Sequence, residues 1–170
     1  MPRFYVYCMA GLLLVAPAFG AAPVRLQLEG LTGELQKNVR ARLSTIGSDE
    51  VTNDGRFRSR VSAAIKEGLR ALGYYEPDID FVSRPAPPQG GRPVLIARVT
   101  PGQPVKIAGS TIIVTGQAKN DADYKNWIAQ GRPKVGTVLN HGQYDKFKSG
   151  FTNLALRNGY FDGEFEKSEL

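Results

Sequence analysis

Cysteine and histidine are almost absent from this sequence, and both absences narrow the chemistry that it can support. The only cysteine, Cys8, lies near the start of the chain, so the remainder has no disulfide, thiolate metal ligand or cysteine nucleophile. The only histidine, His141, has no metal-ligand partners at suitable spacing, and we expect it to be structural or on the surface. No Gly-x-Ser-x-Gly elbow or phosphate-binding glycine loop occurs. We therefore predict no catalytic residue, no cofactor, no metal site and no enzymatic activity.

Long hydrophobic runs are also scarce, and the only one is N-terminal. Phe4–Val15 follows Arg3 and has the length of a secretory apolar region, about 7–15 residues. Ala18-Phe19-Gly20 then provides a small-x-small cleavage site. We predict a signal peptide over residues 1–20, with Ala21 as the first mature residue, and export to a periplasm. The alternative is a retained anchor, although a spanning helix needs about 20 apolar residues.

A strong charge bias is missing too. The chain has 22 basic and 16 acidic residues, and removal of Arg3 leaves 21 − 16 = +5. In an exported protein this excess favours contact with an anionic membrane surface or an acidic protein, and we predict no nucleic acid partner. The basic residues cluster modestly at Lys37, Arg40, Arg42, Arg56, Arg58 and Arg60. Solvated helix faces would explain the same clusters.

What the sequence does have is an internal repeat. Gly73-Tyr74-Tyr75 returns as Gly159-Tyr160-Phe161, and 159 − 73 = 86. Arg25–Gly30 returns as Thr111–Gly116, and 116 − 30 is also 86. A constant shift at both ends of a segment indicates one structural unit copied in tandem. Because repeated small units commonly form extended binding surfaces, the repeat favours a binding protein over a catalyst.

The first copy is predicted to have the order strand, helix, helix, strand, strand. Val24–Glu29 alternates apolar and polar residues, and apolar residues at spacings of three and four predict helices over 35–46 and 57–72. Gly73 stands where a left-handed residue closes the second helix.

The last two strands of the first copy are predicted to differ in position. Residues 75–81 alternate, and Pro77 lacks an N–H for a ladder, so this strand belongs at a sheet edge. Val94–Val99 is nearly all apolar, as a central strand would be. The expected fold is α+β, with two helices on one face of a three-stranded sheet.

The second copy is predicted to be incomplete. Residues 105–107 and 112–114 supply its first strand and lead-in, 120–131 its first helix, and Asn140 begins its second helix. A strand over 161–166 follows, and residues for a third strand are missing before Leu170. We therefore divide the chain into a signal peptide (1–20), a first domain (21–101) and an incomplete second domain (102–170). We interpret it as part of a longer protein.

Together these motifs resemble tandem POTRA domains, the periplasmic modules that precede the barrel of Omp85-family outer-membrane proteins. The resemblance rests on the β-α-α-β-β order, the two glycine–aromatic motifs and the Val99-Thr100-Pro101-Gly102 junction. Val24–Leu31, Lys37–Ala41 and Phe57–Tyr75 are most similar to the translocation and assembly module branch of that family.

The resemblance implies a role at the periplasmic face of the outer membrane. It implies a third POTRA unit, a C-terminal barrel, a partner subunit anchored in the inner membrane, and help with the insertion or secretion of autotransporter-type clients. A POTRA scaffold of another assembly or two-partner secretion protein is the alternative, and a soluble periplasmic enzyme is a weaker one.

Alternating acidic residues mark the second strand of each copy. Catalytic carboxylate pairs need contrasting environments, whereas these should share one exposed face. Charges on an exposed edge discourage indiscriminate sheet pairing. We predict that the edges accept an extended partner strand, such as an unfolded client, and the alternative is a solvated edge without a partner. The predicted binding residues are Glu76, Asp78, Ile79, Asp80, Phe81, Asp162, Glu164, Phe165 and Glu166.

Overall fold

A computed structural model describes residues 24–47 and 52–170. The predicted signal peptide lies outside these residues. The elements are β1 (Arg25–Glu29), α1 (Gly33–Leu43), α2 (Gly55–Arg70), β2 (Asp78–Arg84), β3 (Val94–Thr100), a 3-10 turn (Gly116–Asn120), α3 (Ala122–Gly131) and α4 (His141–Arg157). In the ranges described, every helix is too short or too polar to cross a membrane.

The three strands form one sheet in the order β1-β3-β2. β3 pairs in parallel with β1 and antiparallel with β2, so it is central and the other two strands are edges. The apolar run of β3 and Pro77 before β2 had predicted these positions, and both predictions are confirmed. The mixed α+β class is confirmed as well.

Helices α1 and α2 cover one face of this sheet and form the main core with it. The fully buried side chains include Val39, Val61, Ile65, Leu69 and Leu95. The helices approach closely at Gly68, where an added Cβ would lie 3.0 Å from the Cα of Val39. The Asn38 side chain donates a 2.6 Å hydrogen bond to the Gly68 carbonyl at the same crossing.

The second copy repeats the two helices of the first. A shift of 86 moves α2 (55–70) to 141–156, which is α4 less one residue. Its small core of Ala118, Tyr124 and Leu154 is separate from the core beneath the sheet. Trp127 stacks on Phe147 with ring centroids 6.1 Å apart. The two copies therefore have two cores.

The helix ends of the two copies also correspond. Asp54 caps α2 by accepting from the Phe57 N–H at 2.8 Å, and Asn140, its counterpart 86 residues later, caps α4 by accepting from the Gln143 N–H at 3.0 Å. The closing glycines, Gly73 and Gly159, both have positive φ, 88° and 80°.

The predicted strands of the second copy do not form. Residues 111–115 and 161–166 contain no strand, and the extended backbone of this region has only an isolated bridge between Lys106 and Val138. In the first copy β1 and β2 pair only with β3. The described residues 102–170 contain no strand that occupies the same place.

The two copies meet through the backbone at the C-terminal end of α2. The carbonyl of Gly73 accepts from the Val105 N–H at 2.9 Å, and that of Ala71 accepts from the His141 N–H at 3.0 Å. The left-handed Gly73 leaves no room for a side chain, because an added Cβ would collide with the Leu139 carbonyl. The start of α4 is thus docked on the end of α2.

Candidate protein-binding edge of the sheet

The edge strand β2 carries the first set of predicted binding residues. It pairs with β3 on one side, and no other strand in 24–47 or 52–170 pairs with it on the other. Alternate N–H and C=O groups along β2 therefore point away from the sheet, where an additional strand would bond to them. Val82, an apolar residue in the second half of β2, is 36% exposed.

The alternation along β2 sends acidic and apolar residues to opposite faces. Ile79 and Phe81 are partly buried and pack against the core under the helices, as predicted. Asp78 and Asp80 are exposed on the other face. An added strand would place its own side chains beside both sets.

The two aspartates have different neighbours, contrary to the expectation that their surroundings are alike. Asp80 is in register with Arg98 of β3, whose Nε lies 3.3 Å from Oε2 of Glu29 on β1. Arg98 thus lies between Asp80 of β2 and Glu29 of β1. Asp78 is in register with Thr100, which carries no charge. Asp78 is therefore the acid of β2 without a basic residue in register on β3.

Glu76 precedes the strand and does not belong to it. It is exposed, and its carbonyl lies close to Gly102, where an added Cβ would be 2.6 Å from that oxygen. The backbone there is occupied by the chain leaving β3. Of the predicted acidic set in the first copy, only Asp78 and Asp80 lie on the strand.

The far end of β2 is held by a polar network from the start of α2. Arg58 donates to Asn53 Oδ1 at 2.6 Å, and the Asn53 amide donates to the Ser83 hydroxyl at 2.9 Å. These bonds fasten the last residues of the strand to the helix layer. The part of the edge without such bonds lies toward Asp78.

The second predicted set does not make an edge. Asp162, Glu164, Phe165 and Glu166 lie in turn and irregular backbone after α4. The structure contains no strand over 161–166, so the predicted edge strand of the second copy is not observed. Phe165 instead makes an edge-to-face contact with Phe151 of α4, with centroids 6.1 Å apart.

His141 lies at the contact between the copies. Its Nε2 is 2.6 Å from the Tyr75 hydroxyl, and Arg70 lies over the Tyr75 ring at 5.6 Å from the centroid. Residues 24–47 and 52–170 hold no group of three His, Cys, Asp or Glu side chains placed to bind a metal.

A second polar cluster fastens the ends of α3 and α4. The Asp123 N–H donates to Asp121, lowering the pKa of Asp121, which also accepts from Asn158 and Tyr160. Burial and the Asp121 carboxylate raise the pKa of the Tyr160 hydroxyl. These hydrogen bonds tie the start of α3 to the end of α4, which is a structural role.

Two features of the sheet were not predicted. Arg98 was overlooked, although a single arginine within the apolar run Val94–Val99 indicated a solvent-facing position in that strand. Arg25, Arg40 and Arg92 lie beside β1, but the sequence analysis counted Arg25 and Arg92 only in the basic excess and Arg40 only in a basic cluster. Their positions depend on which helix lies over which strand, and no local pattern reports that.

The first copy has the order β-α-α-β-β, with both helices on one face of its sheet. Residues 25–101, less than half of the chain, match the family model described as "POTRA domain TamA domain 1". This segment is therefore similar to the first POTRA domain of TamA.

One similar solved structure is that of Haemophilus influenzae BamA POTRA3-5. It has 16% sequence identity to this chain and a TM-score of 0.39. The match covers 88% of this chain and 53% of that one, so the present sequence spans about half the length of the solved chain.

Proposed function

We propose that this chain is the periplasmic protein-binding part of an outer-membrane translocation and assembly factor of the TamA type. The observation that supports it best is the match of residues 25–101 to a POTRA domain of the TamA type, in which β2 is an edge strand with one side unpaired among the described residues. Such domains are scaffolds rather than enzymes in Omp85 systems.

The binding step we propose is strand addition to β2. Backbone hydrogen bonds along the edge would provide affinity with little sequence preference, which suits a protein that receives many unfolded clients. The clients would be outer-membrane proteins, including those of the autotransporter type. The full protein would work with a TamB-like subunit anchored in the inner membrane.

Asp78 would bias which strands the edge accepts. It has no basic residue in register on β3, so a lysine or arginine on an incoming strand would be its cross-strand partner. Asp80 would contribute less because Arg98 already stands beside it. A strand with basic residues on that face and apolar residues toward Ile79 and Phe81 would fit best.

The test is photocrosslinking from position 82, replaced by a photoreactive residue, to an unfolded autotransporter barrel with alternating apolar and basic strands. Asp78→Lys should reduce capture about threefold to tenfold, since a like charge across strands opposes pairing. Asp78→Pro should block it more completely, because the strand start tolerates proline while an added strand loses a bonding position.

The matched control is Asp145→Lys, which makes the same charge change on the exposed surface of α4. It should leave capture unchanged. Equal crosslinking in all variants, with the fold retained by circular dichroism, would refute β2 as the client edge.

A further inference from the structure

The other edge of the same sheet is bordered by a groove that the proposed function does not use. α1 lies above β1, and between them run two adjoining recesses that share Leu26 and Leu43. Leu28 adds to the apolar wall on the strand side. The groove follows β1 along its length, about 16 Å for five residues.

The backbone of β1 is available on this side. β1 pairs with β3 alone, and among the described residues no strand lies on its outer side. The groove therefore combines unpaired strand edge with partly exposed leucines. That combination fits an extended peptide, which would add backbone hydrogen bonds while its alternate side chains enter the recesses.

Three arginines determine the charge of the groove. Arg40 lines the recess beside Leu28, and Arg25 and Arg92 line the recess at the start of β1. None of the three forms an ion pair within the residues that the structure describes. The nearby carboxylate of Glu29 is already engaged, by Arg98 at 3.3 Å and by the Gln27 amide at 3.0 Å.

We propose that this groove binds an extended protein segment in which apolar and acidic residues alternate. Its apolar side chains would contact Leu26, Leu28 and Leu43, and its carboxylates would pair with the three arginines. The two edges of the sheet would then select strands of opposite charge. The inference stands independently of client binding at β2.

The probe for this proposal is a synthetic peptide of alternating valine and glutamate with blocked ends and a fluorescent label. A valine–lysine peptide of the same length is the comparison. Binding to the purified protein is measured by fluorescence anisotropy, and the site is located by amide chemical shifts. We expect the acidic peptide to bind, to shift amides of 25–29, and to weaken as salt is raised.

The charge-reversal variant is Arg40→Glu with Arg92→Glu, which should weaken the acidic peptide about tenfold or more by placing like charges in the groove. The control, Lys125→Glu with Lys146→Glu, makes the same change in charge on exposed positions of α3 and α4. It should change affinity less than about twofold, because screened distant charges contribute little. Both variants must keep the wild-type unfolding midpoint.

Other outcomes overturn the proposal. The proposal fails if the acidic peptide does not bind, or if it shifts amides of 78–84 instead. It also fails if the affinity for the peptide falls equally in both variants. Anionic phospholipid vesicles are a parallel arm. If the arginine variant loses vesicle binding while the wild type never binds the peptide, the groove recognises a membrane surface. Asp78→Lys should leave acidic-peptide binding at β1 intact, which separates this result from failure of the β2 hypothesis.

Discussion

The two copies of the repeat have the same helices and different sheets. Their second helices begin with capping residues 86 positions apart and end on left-handed glycines 86 positions apart. Only the first copy has paired strands. Helices and their caps depend on residues within a few positions, whereas each edge strand depends on β3. Local sequence is therefore sufficient for the helical half of this unit and insufficient for its sheet.

The largest effect should follow from weakening β3 itself. Leu95 is fully buried, and Leu95→Ala should lower the free energy of unfolding of the first copy by about 2–5 kcal/mol through lost burial and a cavity. Hydrogen exchange of the β1 and β2 amides should accelerate together, since both strands pair only with β3.

The control is Leu156→Ala, where the side chain is 58% exposed on α4, and it should change stability by no more than about 0.5 kcal/mol. Protection lost in β2 but kept in β1 would contradict the dependence of both edges on one strand.

A smaller effect is expected from crowding the second core. Gly150 lies against the Trp127 ring, so the side chain of Gly150→Val would collide with the indole and cost about 1–3 kcal/mol. Trp127 is the only tryptophan, so its fluorescence during urea unfolding reports the second copy.

Ser149→Val, on the exposed side of α4, is the matched control for this substitution. If Gly150→Val lowered the stability from hydrogen exchange of β3 as much as the stability from Trp127 fluorescence, the two cores would unfold as one.

The smallest effect concerns the two caps, one of which titrates. The Phe57 N–H bond lowers the pKa of Asp54 below 3.8, its ordinary value, whereas Asn140 has no charge to lose. Because the folded pKa is the lower one, the stabilisation is complete above about 3.8 and is lost as pH falls through the folded value.

Asp54→Asn should therefore preserve capping at neutral pH and reduce the acid sensitivity of the first copy. The measurement is the thermal midpoint by circular dichroism from about pH 5 to pH 2, compared with wild type. Asp121 remains in both proteins, so their difference isolates Asp54. Identical acid profiles would contradict a charge-dependent cap on α2.

Sequence reasoning succeeded where one residue dictated local geometry. Pro77 indicated an edge, and Gly73 indicated a helix end. It extended the first helix to residue 46, whereas α1 ends at Leu43. The hydroxyls of Ser44 and Thr45 bond to the carbonyls of Ala41 and Arg42 at 2.8 Å, competing with further helical bonds.

Sequence reasoning failed where the outcome depended on distant residues. Residues 161–166 alternate as a strand would, but the structure has no strand there. A strand needs a neighbour to pair with, and no local pattern reports whether one is present. The groove beside β1 escaped notice for a similar reason. Arg25, Arg40 and Arg92 are separated in the chain, and only the packing of α1 over β1 brings them to one groove.

The position of β3 at the end of its unit has a consequence in time. Arg25 of β1 pairs with Val94, so the two partners of this register lie 94 − 25 = 69 residues apart in the chain. Until β3 is in place, the helices can coil and pack while both outer strands remain unpaired. A chaperone or a client strand that meets the chain before then would find both edges open, so closure of the sheet is governed by when its final strand arrives.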